Sequence, residues 1–106
     1  MIHEAIAIAT CIKTSGALPK AYVPKSTAIK AGWRGGTVEN VLPGKMIGGD
    51  KYYNRSGALP NGNYKECDIG TLGKSSRGEN RLVYSLAEDR FFYTSDHYQS
   101  FKELSL

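Results

Sequence analysis

The residues of this chain that could carry chemistry are a glutamate, two arginines and a histidine in its second half. In "NYKECDI" the two-residue repeat of a β-strand puts Glu66 and Asp68 on one face, and in "RGENRLVY" the same repeat groups Arg77 with Arg81. His97 follows in "YTSDHYQSF", and the only other histidine lies at the extreme N-terminus. If these segments are neighbouring strands, one side of a sheet presents carboxylates, arginines and an imidazole.

Such a group of side chains suits acid–base cleavage of RNA. A carboxylate can take the proton of a ribose 2′-hydroxyl, an imidazole can protonate the departing 5′-oxygen, and cations can stabilise the extra charge on the phosphate. The reference pKa values of these two side-chain types, about 4.3 and about 6.5, suit mildly acidic to neutral conditions. The same residues would equally form structural salt bridges beside a surface histidine, so spacing alone leaves both alternatives open.

The first part of the chain is expected to be helical. Apolar residues recur every three or four positions from Ile2 to Ile12, which predicts a helix that ends at Gly16. A second short helix is predicted from residue 24 or 25 to residue 31, with Pro24 in its first turn. A third is predicted to begin at Thr37, as its N-cap, and to run through "VENVL".

The later segments indicate strands separated by turns: "KMIGGDKYYN", "NYKECDI", "NRLVYSL", "RFFYTS" and "QSFKEL". The third and fourth are predicted to form a hairpin through residues 87–89. Helices followed by strands predict an α+β fold, with N-terminal helices (about 1–43) packed on one face of a C-terminal antiparallel β-sheet (about 46–104). The length of 106 residues fits a single domain, 1–106.

Charge and composition limit the possible partners. The formal charge is +4, and the grouping of basic residues at 20–34 and 77–90 favours a polyanion, although a solvated surface would also explain it. No apolar run reaches the roughly 20 residues that span a bilayer, and "MIHEAIAIATCI" lacks the pattern of a signal peptide. Cys11 and Cys67 match no metal or redox spacing, and both are interpreted as small buried or half-buried residues.

Several longer segments occur in the same order as in a known family. They include "GW", "KMIGGDKYYNRSGALP", "ECDI" and "TSDHYQSF". On these motifs the chain resembles the barnase-like microbial ribonucleases, which prefer guanine, over nearly its whole length. The resemblance implies the microbial ribonuclease fold and a metal-independent endoribonuclease with no cofactor. Such an enzyme cleaves single-stranded RNA by transphosphorylation to a 2′,3′-cyclic phosphate, followed by hydrolysis.

The resemblance also implies catalytic roles for the matched residues. Glu66 matches the general base and His97 the general acid. Arg77 and Arg81 match two arginines that hold the phosphate, and Lys25 matches a lysine that supports it.

Other matched residues are implied to support the site or to bind the base. Asp68 matches a buried aspartate that holds both arginines, and Asp50 matches one beside the helix of the lysine. The residues implied to bind the base are Tyr52, Tyr53, Asn54, Arg55, Ser56 and Tyr98.

Two positions depart from the family pattern. Relatives carry a glutamate at the position of Ser56, and that carboxylate accepts hydrogen bonds from the Watson–Crick edge of guanine; its loss is expected to weaken guanine discrimination. Ser76 stands in place of an aromatic residue before the first arginine.

The alternative function is a catalytically silent RNA- or protein-binding module, but a binder needs neither Glu66 nor His97. A DNA-directed nuclease is disfavoured because the mechanism requires a 2′-hydroxyl.

An active ribonuclease would damage the cell that makes it. We therefore expect a secreted nuclease or a delivered toxin domain, with no signal peptide in this chain. The expected partners are single-stranded RNA and an acidic barstar-like inhibitor or immunity protein, with no membrane partner. The protein is expected to be a monomer.

Overall fold

The computed structural model, which describes residues 1–106, is an α+β fold, as predicted. Its helices are α1 (Ile2–Ser15) and α2 (Lys25–Lys30), followed by a 3-10 turn at Val38–Asn40. Its strands are β1 (Tyr22–Val23), β2 (Met46–Tyr52), β3 (Tyr64–Asp68), β4 (Arg81–Ser85), β5 (Arg90–Thr94) and β6 (Lys102–Glu103).

The strands form one six-stranded sheet in the order of the chain, β1 to β6. All neighbouring pairs from β2 to β6 are antiparallel, which includes the predicted hairpin between β4 and β5. The first pair differs, because β1 runs parallel to β2 through Tyr22 and Val23. Strand β1 was not predicted, since two residues are too few to show a strand repeat.

Helix α1 covers one face of the sheet. Ala5, Ala9 and Ile12 are completely buried, and the two alanines let the helix backbone approach the strands closely. The helix ends as predicted at Gly16, whose φ of 76° allows its N–H to donate to the carbonyl of Ile12. The core on this face also contains Leu82, Tyr84, Phe91 and Tyr93.

The predicted third helix is wrong, because only one 3-10 turn forms there. Thr37 does act as the N-cap, and its hydroxyl accepts from the backbone N–H of Glu39. The N–H of Leu42 still donates to the carbonyl of Val38 at 2.8 Å, but Pro43 disfavours helical geometry at the residue before it, so the helix does not continue beyond this turn. The turn instead packs Val38 into a small cluster with α2 and β2.

A β-bulge in β2 sets the register that the site depends on. The register shifts between Gly48 and Asp50, and Gly49 has a φ of 99°, a conformation that favours glycine. A Cβ at Gly48 would lie 2.6 Å from the Cβ of Cys67, so the close contact with β3 also requires glycine. After the bulge, Asp50 lies directly opposite Glu66.

Two further expectations need correction. Cys11 is exposed, because α1 buries only the stripe that contains Ile12, whereas Cys67 is buried as interpreted; neither forms a disulfide. The last strand is shorter than "QSFKEL" and comprises only Lys102–Glu103, since Ser100 is engaged in a loop. None of the helices combines the length and the apolar composition that a membrane span needs.

Candidate active site

The carboxylates lie on β3 and Arg81 lies on the neighbouring β4, and their side chains share the face opposite α1. The prediction that Arg77 alternates with Arg81 on one strand is wrong, because β4 begins at Arg81 and Arg77 lies in the loop before it, where Gly78 has a positive φ of 62°. In the pairing of β3 with β4, Asp68 lies opposite Arg81 and Glu66 lies opposite Val83. Beneath this face lies a second core of Leu59, Tyr64, Val83 and Phe92. The strands therefore place a half-buried glutamate beside a buried aspartate–arginine pair, above a packed apolar core.

Asp68 holds both arginines in one ion cluster. Asp68 is 1% exposed, and its carboxylate accepts two hydrogen bonds from Arg77, from Nε at 2.7 Å and from Nη2 at 2.8 Å. The Nε of Arg81 lies 3.1 Å from the same carboxylate, in a geometry that does not complete a hydrogen bond. The hydrogen bond to Asp68 raises the pKa of Arg77. Two cations and one anion leave this cluster, which we call the arginine cluster, with a net positive charge.

The backbone fixes the position of Arg81 independently of any ligand. Its Nη1 donates to the carbonyl of Asn80 at 2.8 Å and to that of Arg77 at 3.3 Å. The guanidinium of Arg77 lies 5.7 Å from the ring centroid of Trp33, within cation–π range. Both guanidinium groups are thus held in place before a ligand arrives, as electrostatic stabilisation of a transition state requires.

Tyr98 connects Glu66 to the adjacent pocket. Its hydroxyl donates to Oε1 of Glu66 at 2.8 Å, and its ring stacks on that of Tyr52 with centroids 5.1 Å apart. Burial raises the pKa of the Tyr98 hydroxyl, and the negative charge of Glu66 raises it further. The phenol therefore remains a neutral hydrogen-bond donor to the carboxylate at physiological pH.

His97 is presented by a loop with unusual backbone geometry, residues 94–100, which we call the histidine loop. His97 and Tyr98 have positive φ values of 54° and 74°. The backbone N–H of His97 donates to the carbonyl of Glu79 at 3.0 Å, which links the loop to the segment between the two arginines. The His97 and Tyr98 rings are 4.8 Å apart, so the imidazole lies beside the phenol that contacts Glu66.

Asp96 and Thr94 stabilise the histidine loop from inside. Asp96 accepts hydrogen bonds from the hydroxyl of Thr94 at 2.8 Å and from the N–H of Ser100 at 2.9 Å, and its other oxygen accepts from the Ser100 hydroxyl. The bonds from Ser100 lower the pKa of Asp96 to about 2, with a smaller effect from Thr94. These supports were not predicted, although small polar residues that form hydrogen bonds with nearby backbone are a known loop signal.

A hydrogen bond of the Lys25 backbone connects α2 to the site. Its N–H donates to Oδ2 of Asp50 at 3.0 Å at the start of α2, and Asp50 is the cross-strand partner of Glu66. Asp50 thus lies beside the helix of the lysine, where the resemblance implied it, and brings α2 to the edge of the site.

A pocket of about 320 Å³ adjoins Glu66. It is lined by the residues implied to bind the base together with Glu66: Tyr52, Tyr53, Asn54, Arg55, Ser56 and Tyr98. Asn54, with a φ of 50°, closes the loop through its side chain, which donates to the carbonyl of Leu59 at 2.9 Å and accepts from its N–H at 3.1 Å. Ser56 is exposed, and its hydroxyl accepts from the N–H of Ala58 at 3.3 Å.

The predicted site residues thus lie around one surface, with Glu66 between the arginine cluster and the pocket. A larger cavity of about 440 Å³ lies against α1 and shares no residue with this pocket. No group of three or more His, Cys, Asp or Glu side chains is arranged to hold a metal ion.

Comparison with known proteins points to one family. The family model described as ribonuclease matches residues 5–105. A ribonuclease of Heyndrickxia coagulans is 39% identical over 92 residues, which are 82% of this chain and 83% of that protein. A ribonuclease of Bacillus intermedius is also 39% identical over 92 residues, but these cover 56% of its length.

A more distant similarity covers half of the chain. The guanyl-specific ribonuclease Sa3 of Kitasatospora aureofaciens is 36% identical over 56 residues, 50% of this chain and 40% of that protein. The chain therefore spans most of the first relative and about half of the second.

Proposed function

Because the chain belongs to the ribonuclease family, we propose that it is an endoribonuclease that cleaves single-stranded RNA without a metal ion. Cleavage proceeds by transphosphorylation to a 2′,3′-cyclic phosphate and then by hydrolysis. One observation carries the proposal: the Glu66 carboxylate lies between a positively charged arginine cluster and a pocket large enough for a base, with the His97 ring beside the phenol that contacts it.

In the first step, Glu66 takes the proton of the ribose 2′-hydroxyl, and the 2′-oxygen attacks the phosphorus. The bond from phosphorus to the 5′-oxygen breaks, and His97 donates a proton to that oxygen, which leaves as a hydroxyl. The arginine cluster and Lys25 stabilise the charge on the five-coordinate phosphorus.

In the second step, water opens the cyclic phosphate with the roles reversed. His97 takes a proton from the water as its oxygen attacks phosphorus, and Glu66 donates a proton to the departing 2′-oxygen. The product is a 3′-phosphate, and both side chains return to their starting protonation states.

The pocket beside Glu66 holds the base on the 5′ side of the cleaved bond. Aromatic rings at Tyr52 and Tyr98 supply stacking surfaces, and the loop supplies backbone groups. Ser56 provides a neutral hydroxyl in place of a carboxylate acceptor, so guanine preference is weak.

Cleavage in the presence of a chelator tests this mechanism. We expect single-stranded RNA incubated with EDTA to yield 2′,3′-cyclic phosphate ends, and Glu66→Ala and His97→Ala each to lower kcat/KM by about 10²- to 10⁴-fold. His3→Ala and Glu88→Ala are matched controls, because they remove the same side-chain types from exposed positions. Circular dichroism checks that the variants fold.

Three outcomes would contradict the proposal. They are the absence of a cyclic-phosphate product, undiminished cleavage by both active-site variants, and cleavage of an all-deoxy substrate. Tight RNA binding without any product would favour the alternative, a catalytically silent RNA-binding module.

The proposal extends to an acidic inhibitor and to export. A barstar-like inhibitor or immunity protein would place carboxylates against Arg55, Arg77 and Arg81, and the enzyme acts as a secreted nuclease or as a delivered toxin domain. Association with such an inhibitor is expected to slow as salt rises, because long-range attraction is screened. Stopped-flow measurements at increasing salt, with an Arg55→Gln variant beside the wild type, test this.

A further inference from the structure

Tyr53 is the most exposed large apolar side chain, and it lies between two cationic residues in the sequence. The residue is 62% exposed. The Lys51 Nζ lies 5.0 Å from its ring centroid and the Arg55 Cζ lies 5.2 Å from it, both within cation–π range. We call these three residues the tyrosine platform.

Folding does not account for the tyrosine platform. The Tyr53 ring belongs to none of the three hydrophobic clusters. Neither Lys51 nor Arg55 takes part in any of the four salt bridges of the molecule. Lys51 also lies directly opposite Lys65 across β2 and β3, and like charges in that position are destabilising. The exposed ring and its two cations are therefore held together by cation–π contacts alone, without support from a hydrophobic cluster or a salt bridge.

The platform is continuous with the base pocket. Tyr53 and Arg55 also line that pocket, whose other end is formed by Glu66 and Tyr98. A nucleotide bound in the pocket therefore places the next nucleotide of its strand within reach of the exposed ring. Proteins that bind single-stranded nucleic acids combine the same two features: aromatic rings that stack on bases and cations that contact phosphates.

We propose that the tyrosine platform binds one further nucleotide of a single-stranded RNA, outside the two nucleotides that flank the cleaved bond. This inference rests on the proposed function and adds a subsite to it. The base stacks on Tyr53, and Lys51 and Arg55 contact the adjoining phosphate. Stacking tolerates any base, so the subsite adds affinity for longer RNA without adding base preference.

Substrate extension tests the subsite. We expect kcat/KM of the wild type to rise by about tenfold when a dinucleotide is lengthened by one nucleotide at one end, from the energy of one stacked base. Tyr53→Ala should abolish most of this gain and Tyr53→Trp should keep it. Leu86→Ala, which removes another exposed apolar side chain, should keep the full gain. Lengthening at the 5′ end and at the 3′ end in separate substrates identifies the side on which the nucleotide binds.

Binding of an uncleavable strand separates this inference from the proposed function. We expect an all-deoxy trinucleotide to bind about tenfold more weakly to Tyr53→Ala than to the wild type. Lys51→Gln should reduce the slope of log K against log salt concentration by about 0.7, as loss of one phosphate contact to a single strand does. If RNA is not cleaved but these differences hold, the subsite stands and the enzymatic proposal fails.

Two results would overturn the subsite. One is an equal loss for Tyr53→Ala on dinucleotide and trinucleotide, because the ring would then act only within the base pocket. The other is binding of a polyglutamate peptide with the same dependence on Tyr53 and greater affinity than the trinucleotide, which would assign the platform to an acidic protein.

Discussion

The arginine cluster and the tyrosine platform each contain two cationic residues, but those of the cluster are largely buried and those of the platform are exposed. Asp68 and Arg81 are almost completely buried, and the cluster is fixed by hydrogen bonds to a carboxylate and to backbone carbonyls. On the platform, Lys51 and Arg55 are exposed, and each lies over the same aromatic ring without a salt bridge. Rigidly held cations suit a phosphate whose charge changes during reaction, whereas exposed cations beside an aromatic ring suit a strand of variable sequence.

The contrast predicts that changes in the two regions have separate effects. A change in the arginine cluster should affect both folding and catalysis, because the same buried contacts serve both. A change in the platform, or in residues 53–56 of the pocket lining, which we call the base loop, should affect substrate choice and leave stability nearly unaltered. Three predictions test this separation, and the largest effect is expected in the cluster.

Asp68→Asn is expected to be the most damaging of these changes. It keeps the shape of the side chain but leaves two arginine cations in a mostly buried site without their anion. Breaking a buried pair in this way costs about 3–5 kcal/mol, which is a large part of the stability of a small domain. Urea denaturation measures the loss, and kcat should fall with it as the guanidinium groups lose their fixed positions.

Glu103→Gln is the matched control. Glu103 accepts two hydrogen bonds of 2.8 Å from Arg90, the same bidentate geometry as at Asp68, but on the surface. Its removal should cost far less, because solvent screens both charges. Equal losses for the two variants would show that burial does not distinguish the cluster.

Sequence predicted the buried region well where it consists of regular elements. The spacing of Ile2 to Ile12 predicted α1, and strand alternation correctly grouped Glu66 with Asp68. Both patterns are local, so a short window of sequence contains them. No short window of sequence distinguishes a nuclease site from a structural set of salt bridges. Only the resemblance to the ribonuclease family favoured the nuclease.

Contacts between distant residues lay beyond sequence reasoning. The hydrogen bond from Tyr98 to Glu66 joins residues 32 positions apart and requires positive φ values at His97 and Tyr98, which no pattern reveals. The parallel pairing of β1 depends on Met46 and Ile47, which follow it by more than 20 residues. Of the tyrosine platform, the resemblance implied only Tyr53 and Arg55, as residues that bind the base, and Lys51 carried no signal of its own.

Ser56→Glu tests the base loop, with a smaller expected effect that concerns specificity alone. The new carboxylate can accept the paired N–H donors on the Watson–Crick edge of guanine. We expect the ratio of kcat/KM for guanine over adenine to rise about tenfold or more, the discrimination of one good bidentate contact. Dinucleotides with each base 5′ to the cleaved bond provide the measurement.

Ser56→Gln is the control for that change, because it supplies a similar length without the negative charge. It should raise the ratio much less than Ser56→Glu does. Both variants should unfold at nearly the same urea concentration as the wild type, since Ser56 is exposed. A strong guanine preference already present in the wild type would show instead that backbone groups of the loop carry recognition.

The smallest effect is expected at Asp96, which combines features of both regions: it is accessible to solvent, yet its hydrogen bonds order the histidine loop. Its lowered pKa of about 2, against an ordinary value of 3.8, means that its contribution to stability is complete above about pH 5 and is lost as pH falls to 2. The stability difference between wild type and Asp96→Asn should therefore shrink over that range.

The Ser100→Ala variant is the control. Its stability should fall less with acid than that of the wild type, because one of the donors to Asp96 is already absent. A difference that stays constant from pH 6 to pH 2 would mean that the hydrogen bonds to Asp96 do not favour its charged form, and that the shape of the histidine loop rests on its backbone alone.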